Sequence, residues 1–198
     1  MADLKTELYK GRKKMRLPDI LTREEQQLLL AVPNKNCPTG LRNHTMLTLF
    51  LNQGLRVSEA LNLKAADIEW VSGRLVVRDG KGGKDRVLWL STADREAIEK
   101  LLAVRPVQSD YVFCTLQGKK MCDRYVRDFV KRCAARAGIE KDVYPHLLRH
   151  TFATDMLNKT SNIRLVQKAL GHTSIATTSI YTHIVDDQLQ SALQDLRS

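Results

Sequence analysis

Two short stretches with strand-like alternation, 74–78 and 86–90, interrupt a sequence whose other apolar residues recur at helical spacing. The segment between them, Asp-Gly-Lys-Gly-Gly-Lys-Asp at 79–85, has the composition of a β-hairpin tip. Residues 67–70 add a candidate third strand. Because strand and helix periods cannot be exchanged, this pattern predicts a mainly α-helical chain with one small three-stranded antiparallel sheet.

The helical segments lie on both sides of this sheet. Thr22, followed three residues later by Glu25, has the pattern of a capping box at a helix start. Gly54 follows a largely apolar segment and marks its end. Helices are predicted at about 22–32, 41–53, 92–104, 122–137, 146–158, 163–170, 174–183 and 186–196, with a helical turn at 56–60.

The charge favours a polyanionic partner, most simply nucleic acid. The 198 residues include 32 Lys and Arg against 22 Asp and Glu, for a net charge of +10. Residues 1–19 are predicted to be a basic arm or linker, either solvated or lying along a phosphate backbone. Its candidate DNA-binding residues are Lys10, Arg12, Lys13 and Lys14.

Several classes of protein are disfavoured. No run approaches 18 consecutive apolar residues, and the first residues lack an apolar signal core, so neither a membrane span nor secretion is expected. The four cysteines form no CxxC pair, which favours reduced thiols in a cytoplasm. We therefore expect a cytoplasmic protein.

Three segments hold residue types suited to phosphate chemistry, at 54–59, 146–150 and 170–183. His146 and Arg149 share a helix face at i and i+3, opposite an apolar stripe, so both are predicted to point away from the core, toward a cleft or a ligand. Arginine can bind phosphate oxygens through two donors, and histidine can handle protons. Taken singly, each of these residues is also typical of an ordinary surface. No acidic cluster suited to Mg²⁺ accompanies them, so a metal-free site is predicted.

Lys81 and Lys84 lie in the glycine-rich segment. The segment joins two strands and lacks the GxxxxGK[ST] pattern that precedes a helix in phosphate-binding loops. A lysine-bearing hairpin therefore fits better than a nucleotide site.

The order Arg, Lys, His-x-x-Arg, His, Tyr resembles the catalytic domain of the tyrosine recombinases, with Xer-type recombinases the nearest match. The matching stretches are 54–59, 80–82, 146–154 and 170–181. The resemblance covers about 20–196 and implies the tyrosine recombinase catalytic fold over 20–198. It also leads us to expect that the N-terminal core-binding domain usual in the family is absent, the chain being either a stand-alone catalytic domain or an excised piece.

The resemblance implies a role for each residue at the phosphate. Tyr181 would be the nucleophile that forms a 3′-phosphotyrosyl link to DNA. Arg56 and Arg149 would bind the scissile phosphate, and His172 would donate to the same phosphate.

The resemblance also implies the proton transfers. His146 would accept the tyrosine proton, and Lys81 would protonate the leaving 5′-oxygen. Lys84 is the weaker candidate for that role and is predicted to contact DNA. Glu59 and His150 would support the site, although a purely structural role stays open for both.

The segment 122–137 is expected to show one apolar and one basic face. Its basic face is either solvated or a DNA-binding surface. The candidate DNA-binding residues on it are Arg124, Arg127 and Lys131.

The implied function is a site-specific DNA recombinase or integrase that needs no metal, ATP or other cofactor. Its implied partner is double-stranded DNA with inverted-repeat sites, bound by a homotetramer of a protein that is monomeric in solution. The segment 186–196 would pack on a neighbouring protomer or, in a free monomer, fold back on its own domain. The alternatives are a type IB topoisomerase-like relaxation activity and a DNA-binding regulator with the same fold.

Overall fold

The computed structural model describes residues 19–78 and 85–171, in which helices surround a small sheet. The helices are α1 (Arg23–Ala31), α2 (Pro38–Gln53), α3 (Val57–Asn62), α4 (Thr92–Val104), α5 (Asp123–Arg136), α6 (Pro145–Thr160) and α7 (Ile163–Leu170), with a 3₁₀ turn at Ala65–Asp67. The strands are β1 (Ile68–Glu69), β2 (Arg74–Val77) and β3 (Arg86–Trp89).

The sheet is antiparallel with strand order β1-β2-β3. Leu75 is opposite Ile68 on one side and Leu88 on the other, and all three are buried. The alternation of the two longer strands therefore places one face on the core, as the sequence predicted. The mainly helical architecture with a three-stranded antiparallel sheet is confirmed, while residues 79–84 lie outside the described residues.

Local sequence signals place the helix starts. Thr22 Oγ1 accepts a hydrogen bond from the Glu25 amide at 3.2 Å, and the Glu25 carboxylate accepts one from the Thr22 amide at 2.7 Å. The predicted capping box is thus confirmed. Helix α2 begins at Pro38, three residues before its predicted start, because proline suits the first helical turn. The helices predicted at 174–183 and 186–196 lie outside the described residues.

The core forms around α2, which packs against both α4 and α6. Met46, Leu47, Leu49 and Phe50 of α2 are all buried. This burial fixes α2 and α6 side by side, so the residues that follow α2 lie against the first turns of α6. Helix α7 packs on α6 as a smaller apolar cluster.

Membrane spans, metal sites and disulfides were sought among the described residues. Within 19–78 and 85–171, no helix is both long and apolar enough to cross a bilayer. In the same residues no group of three or more His, Cys, Asp or Glu side chains is placed to hold a metal ion. The four cysteines, which lie in this part of the chain, are free thiols.

Candidate active site

The site is built around the carboxylate of Glu59, on the first turn of α3. Glu59 is buried, and its Oε2 accepts a hydrogen bond from the Arg56 amide at 2.8 Å. Its Oε1 accepts a second from Arg56 Nη1 at 2.6 Å. Arg56 immediately precedes α3. Because Glu59 lies three residues further along the chain, their contact holds the Arg56 side chain against the first turn of the helix. The Arg56 side chain remains 26% exposed and can reach a ligand.

Arg86 of β3 occupies the other side of the same carboxylate. Its Nη1 lies 2.7 Å from Glu59 Oε1 and its Nη2 lies 2.8 Å from Oε2. Its Nε donates to the Ala169 carbonyl near the end of α7, at 2.7 Å. Arg86 was not among the residues predicted for the site. The available signal was its position two residues before Leu88, on the inward face of the strand, where an arginine is unusual.

Arg149 of α6 completes the group of guanidinium side chains. It is only 2% exposed, and its Nη1 lies 3.8 Å from Glu59 Oε2. Its two Nη groups donate to the carbonyl groups of Gly54 and Leu170. Arg149 therefore faces the other residues of the candidate site, but from a buried position that its helical spacing did not predict. The helical pattern of α6 was considered alone, whereas a buried carboxylate and two backbone carbonyls of other elements draw the side chain inward.

The three guanidinium groups keep Glu59 ionised. Burial alone would raise the pKa of this carboxyl group, but the hydrogen bonds and charge of Arg86 oppose it. Together with the Arg56 amide and the charge of Arg149, they lower the pKa of Glu59 to about 2. The carboxylate is thus a fixed negative centre that gathers arginine side chains from three elements.

Two histidines lie beside this group on α6. The rings of His146 and His150 pack edge to face with centroids 4.5 Å apart. Partial loss of solvent, with the positive charges of Arg149 and Arg56, lowers the pKa of His146. Desolvation, with the neighbouring His146 and Arg149, lowers the pKa of His150 to about 4. Both rings are therefore neutral at pH 7, and His146 is exposed.

Of the residues predicted for the site, the structure gathers Arg56, Glu59, His146, Arg149 and His150 in one place. The predicted DNA-binding residues Arg124, Arg127 and Lys131 are exposed on α5, and the first two pair with Asp128 and Asp123. The apolar stripe predicted for this helix is buried at Val126, Phe129 and Val130. The predicted site residues Lys10, Arg12, Lys13, Lys14, Lys81, Lys84, His172 and Tyr181 lie outside the described residues.

A separate groove runs between the outer side of β3 and helices α6 and α7. Its apolar lining includes Leu51, Trp89, Phe152, Met156 and Leu165. Trp89 is 63% exposed and Leu165 is 44% exposed, which is unusual for side chains of this size. Among the described residues the groove therefore presents exposed apolar side chains within a lining that also carries charged residues, among them Asp155, Lys159 and Lys168.

Comparison with known proteins assigns the chain to a family. The model of the phage integrase family matches residues 19–188. The chain belongs to the phage integrase family.

Xer recombinases are among the proteins similar to this chain. The chain is 38% identical over 184 residues to the tyrosine recombinase XerD of Ralstonia nicotianae, covering 89% of this chain and 59% of that protein. It is 36% identical over 184 residues to the tyrosine recombinase XerC of Oceanobacillus iheyensis, covering 89% of this chain and 60% of that protein. The chain thus spans about three fifths of the length of these relatives.

Solved structures of Xer recombinases share the fold. The XerA recombinase aligns with a TM-score of 0.77 and 32% identity, over 92% of this chain and 66% of that chain. The XerH recombinase in a post-cleavage complex with its palindromic difH substrate aligns with a TM-score of 0.76 and 30% identity, over 92% of this chain and 54% of that chain. The predicted tyrosine recombinase catalytic fold is confirmed.

Proposed function

We propose that this chain catalyses site-specific DNA recombination, cleaving and rejoining strands through a 3′-phosphotyrosyl intermediate without metal or ATP. The observation that supports this most directly is the convergence of Arg56 and Arg149 on Glu59, with the neutral His146 beside them. The two arginines come from different segments of the sequence. A site built to balance one carboxylate would not need three guanidinium groups, so the surplus positive charge suits a phosphodiester.

The proposed reaction exchanges one phosphodiester for another, which conserves bond energy and needs no ATP. The Tyr181 hydroxyl attacks phosphorus, its proton passes to His146, and the bond to the 5′-oxygen breaks. Lys81 supplies a proton to that oxygen, so charge and atoms balance. The 5′-hydroxyl of another strand reverses the step and completes strand exchange.

The arginines act on the charge that develops on the nonbridging oxygens. Arg56 and Arg149 are held before DNA binds, and His172 is proposed to donate to the same phosphate. A hydrogen-bond donor fixed in this way commonly increases the reaction rate by about 10²- to 10³-fold. A general acid at the leaving oxygen contributes roughly 10²–10⁴. Both contributions depend on side chains of the protein, not on a bound ion.

Covalent capture tests the proposal. The protein is incubated with nicked duplexes of randomised sequence around the nick, and adducts that survive denaturant are recovered and sequenced. We expect the wild type to capture DNA and Tyr181→Phe to capture none while still binding DNA. Tyr144→Phe is the matched control, because Tyr144 is 43% exposed and precedes α6 beside the site. If Tyr181→Phe still captured DNA, or if only Tyr144→Phe failed to capture it, Tyr181 would not be the nucleophile.

The captured duplex then separates recombination from its alternatives. A plasmid carrying two copies should exchange strands between them. Relaxation of a supercoiled plasmid lacking the site, with no exchange, would favour a type IB topoisomerase-like activity. DNA binding without any adduct would favour a regulator.

We further propose that the protein acts in the cytoplasm as a tetramer on inverted-repeat DNA and is monomeric in solution. Residues 186–196 include Leu189, Leu193 and Leu196 at helical spacing. The groove lined by Trp89 and Leu165 offers an apolar surface of suitable character on a neighbouring copy. Such an exchange would let one protomer control the nucleophile of the next.

A further inference from the structure

Arg86 touches three parts of the site that the sequence keeps apart. We propose that Arg86 is a positioning residue for DNA cleavage, which orients Glu59 and so Arg56, and which anchors the end of α7 from which the chain continues to His172. The inference rests on the proposed function, because its effect is measured on DNA cleavage. No catalytic contact with DNA is assigned to Arg86, which is buried.

Arg86 and Arg56 share the carboxylate of Glu59. Arg86 contacts both carboxylate oxygens, at 2.7 and 2.8 Å, and so prevents the carboxylate from rotating. Arg56 uses the same two oxygens, one through its side chain and one through its amide. The direction of the Arg56 guanidinium is therefore set by a carboxylate that Arg86 holds.

Arg86 also contacts α7. Arg86 Nε donates to the Ala169 carbonyl at 2.7 Å, two residues before α7 gives way to Gly171. Gly171 has φ +64° and packs so closely that an added Cβ would lie 3.0 Å from Arg86 Cδ. The backbone just before His172 therefore packs on Arg86, the side chain that also holds Glu59.

Charge balance at Glu59 does not by itself require Arg86. Among the described residues, the charged side chains that face Glu59 are Arg56, which precedes α3, Arg86 of β3 and Arg149 of α6. A single guanidinium would suffice to balance the charge of one carboxylate. What Arg86 adds is a bidentate contact with the Glu59 carboxylate together with a hydrogen bond to the backbone of α7. A lysine cannot make both, because it lacks the planar guanidinium group with its several donors.

Arg86→Lys tests the inference, with Arg42→Lys as the matched control. Arg42 is also a buried arginine that donates to a backbone carbonyl, of Cys114 at 2.8 Å, and to Tyr125 at 2.8 Å, away from Glu59. The probe is the nicked duplex captured by the wild type, and the rate of adduct formation is measured at saturating DNA. We expect Arg86→Lys to lower this rate constant about 10- to 100-fold, since displacements of about 1 Å have such effects. DNA affinity should change less than about threefold, and Arg42→Lys should keep the wild-type rate.

A pH profile distinguishes positioning from general loss of structure. Arg86→Met leaves Glu59 buried with only Arg56 and Arg149 facing it, so its carboxyl group should protonate at a higher pH. The ratio of variant to wild-type rate should then fall as the pH drops from 7 to 5, and Glu59→Gln in the same variant should remove this fall. Should Arg86→Met not fold, the rate of Arg86→Lys alone decides.

The outcomes separate the two proposals. Absence of any wild-type adduct would overturn the proposed function and the inference with it. A wild type that captures DNA, with Arg86→Lys as fast as Arg42→Lys, would overturn the inference alone. Equal losses in binding and rate would also count against it, because they indicate a structural role.

Discussion

The guanidinium of Arg149 donates a hydrogen bond to the carbonyl of Gly54, two residues before Arg56. Gly54 ends α2 with φ +58°, and its Cα faces the ring of Phe152 on α6. The close approach of α2 to α6 at this glycine therefore brings Arg56 and Arg149 to the same carboxylate. A residue without a side chain is required there both for the backbone angle and for the contact.

Gly54→Ala should lower the free energy of unfolding by more than about 2 kcal/mol, since alanine at positive φ costs roughly 1–2 kcal/mol before any clash. The added Cβ would lie 2.3 Å from Phe152 Cδ1, which forces a shift at the base of the site. Gly138→Ala is the control, because Gly138 has φ +70° but no atom within 4 Å of an added Cβ. The free energy of unfolding of each variant is measured in urea. The difference between the two losses is the contribution of the clash with Phe152. Equal losses would show that the ring moves freely.

Local signals predicted the elements well, because capping, periodicity and glycine placement act within a few residues. The Thr22 capping box and the strand at 86–89 needed only their own neighbourhood. The interior position of Arg149 was not predictable in this way, since it depends on Glu59, Gly54 and Leu170 of other elements. Arg86 was overlooked for the same reason, because its partners lie 27 and 83 residues away.

DNA binding should depend on salt through the basic face of α5. Lys131→Gln and Arg124→Gln should each reduce the slope of log affinity against log salt by about 0.9 if each side chain contacts one phosphate. Lys100→Gln, an exposed lysine on α4, is the control and should leave the slope unchanged. Titrations of the captured duplex at several salt concentrations measure the slopes. Unchanged slopes in the α5 variants would show that this face is only solvated.

The cleavage rate should persist below neutral pH. His146 is proposed to act as a neutral base, and its pKa is lowered from the usual 6.5, so the rate should fall only as the pH drops below that value. Glu59, with a pKa of about 2, stays ionised throughout. His146→Gln should be slower and flat between pH 5 and 7. His44→Gln should keep the wild-type profile, because His44 contacts the Leu30 carbonyl on α1 instead. If the rate of His146→Gln still fell as the pH dropped from 7 to 5, a residue other than His146 would be the proton acceptor.

Deletion of 187–198 should reduce recombination between two sites more than single-strand cleavage, if this segment packs on a neighbouring copy. Leu165→Asp should have the same effect by placing a charge in the proposed acceptor groove. Leu28→Asp on α1 is the control, since Leu28 is 53% exposed and does not line the groove. Equal loss of cleavage and recombination, or of neither, would count against packing between protomers.

Sulfur at the bridging 5′ position of the captured duplex should identify the proton donor. An alkoxide leaving group is a strong base and needs a proton as it departs, whereas a thiol is far more acidic, with a pKa of about 8.5 in cysteine. Lys81→Ala should therefore cleave ordinary DNA about 10²- to 10⁴-fold more slowly and recover much of its rate on the sulfur substrate. Arg56→Ala should not recover, because its proposed role is to stabilise charge on the nonbridging oxygens. Lys84→Ala should be mildly impaired on both substrates, and rescue of Lys84→Ala in place of Lys81→Ala would transfer the role to Lys84.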